Sequence, residues 1–275
     1  MESVPHAVDG LGVRVPAATP SGRRSRRTDV PESTRAAERA RATETLRDAE
    51  AAVAGFEIVP RARSEVINRA VNVMLGVVGL VILSPLLILI ALAVKLTSRG
   101  PIFYTQTRVG IDRRWKRTLA MHEKRVQDLG GAAFTIYKFR TMYVDAESKS
   151  GAVWATANDP RVTPLGRFMR QFRLDEFPQL INVVRGDMNI VGPRPERPSI
   201  VARLREDIRE YPYRQRVKPG ITGLAQINQQ YDSCLDDVRA KVRYDLEYLR
   251  RQSLAEDFKI MLRTVPSVIL KTRGW

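Results

Sequence analysis

The chain has 275 residues, with 46 Lys or Arg against 30 Asp or Glu and a formal net charge of +16, which suits one substantial domain with appendages or two small ones. One cysteine, Cys234, excludes an internal disulfide, and two histidines, His6 and His122, are too few for a histidine-built metal site. Any metal is therefore expected on oxygen ligands, which points to Mg2+ or a similar hard cation held by carboxylates and by a substrate's phosphates.

Residues 1–60 contain nine Arg, no Lys and nine Asp or Glu, so the basic surplus lies in residues 61–275. A basic folded part suits nucleic acid, an anionic membrane or a phosphorylated substrate. The chain has no nucleic-acid-binding motif and no aromatic stacking platform among its charges, so no nucleic-acid partner is expected. The first 60 residues lack a sustained apolar period, and no hydrophobic core follows their early charges as a secretory signal requires. They read as a disordered tail containing one polar, alanine-rich helix candidate over 33–52.

From Ala70 to Val94 an apolar run long enough for a bilayer core is interrupted only by Asn72, Ser84 and Pro85. Its apolar residues cover all faces, so membrane insertion is expected rather than a buried core helix. Pro85 removes a backbone donor and kinks a helix, while Ser84 can bond a freed carbonyl. Arg61, Arg63 and Arg69 flank one end and Lys95, Arg99 and Arg108 the other, so the positive-inside rule gives no direction. On these residues alone, spanning and re-entry through one leaflet are both open.

Beyond the membrane run, Ile102 to Tyr104 and Phe134 to Phe139 read as strands paired in a hairpin. Leu165, Phe168, Met169 and Phe172 recur at helical spacing among Arg167, Arg170 and Arg173, an interfacial pattern that also fits a core-facing helix. A helix follows Pro178 and ends near Gly186, a loop runs from Gly192 to Pro198, and a further helix lies near 199–210. The last helix repeats the interfacial spacing with Phe258, Leu262, Val265 and Ile269 beside Lys259, Arg263 and Lys271. There is no P-loop, no GxGxxG and no regular repeat. The expected fold is a mainly helical α+β domain.

The segment from Arg173 to Pro195 concentrates the chemistry. Asp175 and Glu176 are expected at the N-terminus of the helix after Pro178, where free N–H groups favour a carboxylate or a phosphoryl group. An isolated pair of this kind reads more readily as a cap with a solvated neighbour. Arg194, between Pro193 and Pro195, has a preset backbone and a planar fork suited to phosphate. Lys138 and Arg140 alternate with Tyr137 and Phe139, so on a strand both cations share one face. The turn at Pro219 to Gly223 is a weak candidate for substrate binding. Asp159 with Arg161 reads as a structural ion pair, and Asp187 as a structural cap.

In order, the motifs are RVG at Arg108 to Gly110, YKFRTM at Tyr137 to Met142, NDPRVTPLGRFMR at Asn158 to Arg170, RLDEFPQLINVVRGDMNIVGPRPERP at Arg173 to Pro198 and VKPGITGLAQI at Val217 to Ile227. Taken together over roughly residues 65 to 272, they resemble the bacterial sugar transferase family, the monotopic polyprenyl-phosphate phosphoglycosyl transferases.

The resemblance implies transfer of a sugar-1-phosphate from a UDP-sugar to polyprenyl (undecaprenyl) phosphate, with release of UMP and formation of a polyprenyl-diphospho-sugar that initiates surface polysaccharide or glycoconjugate assembly. It implies Asp175 as nucleophile, forming an aspartyl-phosphosugar intermediate, Glu176 as Mg2+ ligand, and Arg194, Lys138, Arg140, Pro193 and Pro195 around the substrate phosphates. It also implies a membrane helix that breaks at Ser84-Pro85 and re-enters. Hence residues 1–60 are expected as tail, 61–98 as a re-entrant membrane helix, and 99–275 as a catalytic domain on the cytoplasmic face of the inner membrane, with amphipathic helices on the lipid surface. Homo-oligomerisation stays open. Two departures stand out: the tail carries no multi-span domain of the kind larger relatives have, and the segment between Gly110 and Phe134 exceeds a short turn. The alternatives are a membrane scaffold without turnover and a nucleotide-sugar hydrolase.

Overall fold

The computed structural model describes residues 58–116, 128–144, 146, 159–229 and 234–270. The tail with its helix candidate, His122 in the 110–134 segment, and Trp275 lie outside the described residues.

Helix α1 spans Glu65–Thr97 and starts where Ser64 Oγ accepts from the Ile67 N–H, with Glu65 in the first turn complementing the helix dipole. At 1.5 Å per residue it is about 50 Å long, against about 30 Å for a bilayer core. Pro85 lies inside it and deprives the Val81 carbonyl of its usual donor, and Ser84 Oγ donates to that carbonyl at 2.8 Å. The break expected at Ser84-Pro85 is therefore absent: the helix continues through it, because the Ser84 hydroxyl takes up the carbonyl that Pro85 leaves without a donor. Its exposed surface is apolar and includes Val81, Ile82, Ile88 and Leu89, whereas Asn68, Asn72, Gly76, Ile90 and Val94 are buried.

Strand β1, Phe103–Val109, pairs antiparallel with β2, Ala133–Phe139, in a register running from Phe103↔Phe139 to Val109↔Ala133. The expected hairpin is present with a longer first strand, since Thr105, Thr107 and Val109 carry the β-branched pattern as far as Arg108-Val109. Helix α2, Pro164–Gln171, begins at Thr163, whose Oγ1 accepts from the Gly166 N–H at 2.9 Å. Its stripe divides: Met169 and Leu165 pack with Ile90, Val94 and Phe139, while Phe168 is exposed and meets Phe172 ring to ring at a tilt of 59°.

Helix α3, Gln179–Arg185, ends at Gly186, whose φ of 96° closes the helix as glycine does best. Strand β3, Asn189–Val191, pairs in parallel with β4, Gly220–Thr222. Helix α4, Pro198–Asp207, agrees with the helix expected near 199–210. Then come α5, Leu224–Asn228, α6, Leu235–Arg251, and α7, Leu254–Leu270. The parallel pair escaped the sequence reading because three-residue strands carry no alternation. Helix α6 was also missed, although Val238, Val242, Leu246 and Leu249 follow helical spacing and all four are buried.

The main core gathers Val201, Tyr211, Val242, Tyr248, Leu249 and Ile260. Two smaller clusters join α1 to the rest: Ile90 and Val94 with Phe139 and Met169, and, across α3, Gly76 against Val183 and Val184. Polar contacts fix the same junction. Asn72 Oδ1 accepts from the Ile190 N–H at 2.7 Å, and Arg69 caps the C-terminus of α3 through the Val183 carbonyl at 2.6 Å.

Candidate active site

Asp175 and Glu176 sit on one 3-10 turn, Leu174–Glu176, ahead of α3 rather than in its first turn. Pro178 is the cap of α3, and short-range bonds from Phe177 N to Leu174 O and from Leu180 N to Phe177 O keep the turn tight. Successive residues on such a turn point about 120° apart. The two carboxylates, 8% and 6% exposed, consequently meet different surroundings.

Glu176 is caged by cations. Its Oε1 accepts from Lys138 Nζ at 2.8 Å and from Arg194 Nη2 at 2.6 Å, and its Oε2 accepts from Arg194 Nη1 at 3.3 Å, with Arg173 Nη1 at 3.7 Å. Burial alone would push its carboxyl up, but Arg194 and Lys138 outweigh burial and hold it well below the usual carboxylate range. Asp175 receives no hydrogen bond and lies in no ion pair among the described residues. Burial pushes its carboxyl up, opposed by Lys138 and reinforced by Glu176. The turn therefore offers one neutralised, anchored carboxylate and one buried carboxylate without a hydrogen bond.

Arg194 reaches the pair from a loop pinned on both sides. The Arg194 carbonyl accepts from Arg214 Nη2 at 2.9 Å, the Pro195 carbonyl from Arg108 Nη1 at 3.0 Å, and the Pro193 carbonyl from the Gly220 N–H at 3.0 Å. Below the loop, Glu196 pairs with Lys241 at 2.8 Å and Arg108 at 3.5 Å, and Arg214 pairs with Asp245 at 2.7 Å. Pro193 and Pro195 have no N–H to donate to a phosphate, and their rings fix the backbone that presents Arg194. Of the side chains in this supporting set, only those of Arg108 and Glu196 lay in motifs singled out from sequence, and neither was given a place in the site there.

Arg140 is a correction. Strand β2 ends at Phe139, so alternation no longer governs the next residue, and Arg140 turns to the C-terminus of α1, donating to the Arg99 carbonyl at 2.7 Å and the Ser98 carbonyl at 2.7 Å. A cation there complements the helix dipole. Only Lys138 of the two reaches the acidic pair. In the turn at Pro219 to Gly223 the glycine has a structural reason: a Cβ on Gly220 would lie 2.1 Å from the Gly192 nitrogen, so glycine lets the two backbones meet. Arg161 grips Asp159 through both Nε and Nη2, as expected, and Asp187 accepts from Asn182 Nδ2 at 3.1 Å. Buried Asn182 also bridges α3 to β2 through the Thr135 carbonyl and the Tyr137 N–H, which holds the turn against the hairpin.

Among the described residues no group of three metal-ligating side chains occurs. The acidic pair could hold a hard cation only with further oxygens from a phosphorylated substrate, which is how Mg2+ is commonly bound.

Residues 63–271 match the family model described as bacterial sugar transferase. The chain is 42% identical over 213 residues to the undecaprenyl-phosphate glucose phosphotransferase of Komagataeibacter xylinus, covering 76% of this chain and 37% of that protein. It is 41% identical over 204 residues to the UDP-glucose:undecaprenyl-phosphate glucose-1-phosphate transferase of Escherichia coli (strain K12), covering 74% and 40%. To the UDP-N-acetylgalactosamine-undecaprenyl-phosphate N-acetylgalactosaminephosphotransferase of Aeromonas hydrophila it is 36% identical over 203 residues, covering 74% and 44%. The chain thus spans about two fifths of the length of these relatives. With the match extending from the start of α1 to the end of α7 and taking in the whole acidic turn, the chain belongs to the bacterial sugar transferase family.

Proposed function

We propose that this protein transfers a sugar-1-phosphate from a UDP-sugar to undecaprenyl phosphate, releasing UMP and initiating surface polysaccharide or glycoconjugate assembly. The observation that carries the reading is the asymmetry of the acidic pair: Asp175 is buried without a hydrogen-bond partner, beside a Glu176 already neutralised by Lys138 and Arg194. An Oδ of Asp175 attacks the β-phosphorus, and the bond from that phosphorus to the bridging oxygen breaks, so UMP leaves with the electron pair. An oxygen of undecaprenyl phosphate then attacks the same phosphorus and restores the Asp175 carboxylate. This two-step exchange predicts ping-pong kinetics. Lys138 and Arg194, set on either side of Glu176, are at hand to turn to the incoming phosphates and offset their repulsion. Mg2+, held by Glu176 with substrate oxygens, would supply further positive charge at the diphosphate when bound.

The membrane arrangement follows the same reading: residues 61–98 form a re-entrant segment and 99–275 belong to a catalytic domain on the cytoplasmic face of the inner membrane. Re-entry is supported by α1 touching one folded unit near both ends. Arg69 and Asn72 bond residues 183 and 190, while Ile90 and Val94 pack on Phe139 and Met169, and Arg140 holds the Ser98 carbonyl. A helix crossing a bilayer would carry those ends to opposite sides. Exposed Phe258, Leu262 and Val265 on α7, with Phe168 on α2, are suited to the lipid surface.

The test is UMP release by purified protein with Mg2+ and a panel of UDP-sugars, with and without undecaprenyl phosphate, beside Asp175→Asn. Acceptor-dependent UMP with an inactive variant is expected. Turnover without acceptor would make the protein a hydrolase, and no UMP from any donor by folded protein would refute the proposal.

A further inference from the structure

Arg173 is the one non-glycine residue with positive φ among the described residues, at φ 54° and ψ 24°. Glycine adopts this left-handed backbone without strain, whereas a side chain crowds its own carbonyl. The backbone role of the position, closing the turn from α2 through Arg173 N to Arg170 O, makes no demand on the side chain. A strained non-glycine residue two positions before a nucleophile candidate therefore calls for a reason that lies in the side chain.

The side chain's contacts inside the protein do not supply that reason. Its guanidinium makes no hydrogen bond to the described residues, and its nearest opposite charge, Glu176 Oε2, is 3.7 Å away, beyond hydrogen-bond reach. It is also the most exposed of the three cations around Glu176, at 39% against 31% for Arg194 and 15% for Lys138. The fork of donors thus stands at the rim of the acidic turn with its hydrogen bonds available. The local charge is suited to an anion, since Lys138, Arg170 and Arg194 all act on Asp175 beside it.

We propose that Arg173 is a substrate-phosphate ligand, its guanidinium forking onto phosphoryl oxygens beside Asp175, and that the left-handed backbone is what aims it there. The inference rests on the transferase reading above. The chemistry recognised is a phosphate ester, which either the nucleotide diphosphate or the polyprenyl phosphate can bring.

The experiment uses the full chain in detergent, as wild type, Arg173→Gly and Arg173→Lys, with apparent Tm and kcat/KM for each substrate varied separately. Arg173→Gly relieves the backbone, so its Tm should rise by roughly 2–4 °C while kcat/KM falls roughly 10–100-fold. Arg173→Lys should recover part of the rate. A loss expressed on the UDP-sugar assigns Arg173 to the nucleotide phosphates, and a loss expressed on undecaprenyl phosphate assigns it to the lipid phosphate. Unchanged kcat/KM for both substrates in Arg173→Gly, with the wild type active, overturns the inference and leaves the transferase reading intact. A fall in Tm alongside the rate also overturns it, because the arginine would then be structural. Should the wild type release no UMP, the transferase reading fails separately, and titration with UDP decides the ligand: weaker binding by Arg173→Gly supports it, and equal or absent binding overturns it.

Discussion

Replacing Arg214 with methionine should damage the fold and the site by separable amounts. Arg214 and Asp245 are 3% and 2% exposed and joined at 2.7 Å, with further bonds from Arg214 to the Tyr211 hydroxyl at 3.1 Å and the Arg194 carbonyl at 2.9 Å. Burial already pushes the Asp245 carboxyl up and Arg214 opposes it, so without Arg214 the carboxylate must take a proton or stay charged in the interior. Breaking a buried pair from one side costs about 3–5 kcal/mol, which corresponds to a fall of roughly 6–20 °C in Tm. Arg214→Met with Asp245→Leu removes the stranded charge and should regain most of that loss. The regained stability should not bring back full activity, because the Arg194 carbonyl still lacks its donor. Thermal unfolding in detergent and UMP release on the same samples separate the two effects. A single variant losing less than about 1 kcal/mol, or a double variant no more stable than the single, would refute the reasoning.

Three further outcomes are expected. Asp175→Asn should leave Tm unchanged or raised: the folded carboxyl titrates above its ordinary 3.8, so its ionised form lowers stability at neutral pH, and transfer should fade as pH falls through that raised value. Glu196, held at about 2 against 4.5 by Lys241, Arg214 and Arg108 despite burial, contributes roughly 3 kcal/mol that is present above pH 4.5 and lost as pH falls towards 2. Glu196→Gln should flatten acid unfolding over that window, and an unaltered profile would show that the pairing does not stabilise. After replacement of exposed Cys234, cysteines at Ala62 and Arg99 should both be labelled from the cytoplasmic side only, and labelling from opposite sides would mean that α1 spans.

Much of the site was legible because its signals are local. The acidic pair and the Pro-Arg-Pro loop are each written in a few adjacent residues, whereas the break read from Ser84-Pro85 does not form, because the Ser84 hydroxyl meets the carbonyl that Pro85 frees. Arg140 shows where locality ends. It lies two residues from Lys138 and shares its charge, yet strand β2 stops between them, sending one cation to Glu176 and the other to the end of α1. Nor does the peptide around Arg173 announce a left-handed backbone, since no glycine stands there.

By itself the sequence determined the membrane run, the hairpin, most helices and which residue types carry the phosphate chemistry, since each depends on spacing within one segment. Only the tertiary structure decided which carboxylate is caged and which is free. That choice depends on Lys138 and Arg194, 38 and 18 residues from Glu176, arriving from a strand and a pinned loop. Charges so far apart along the chain acquire their partners only when packing brings the segments together and removes the water between them.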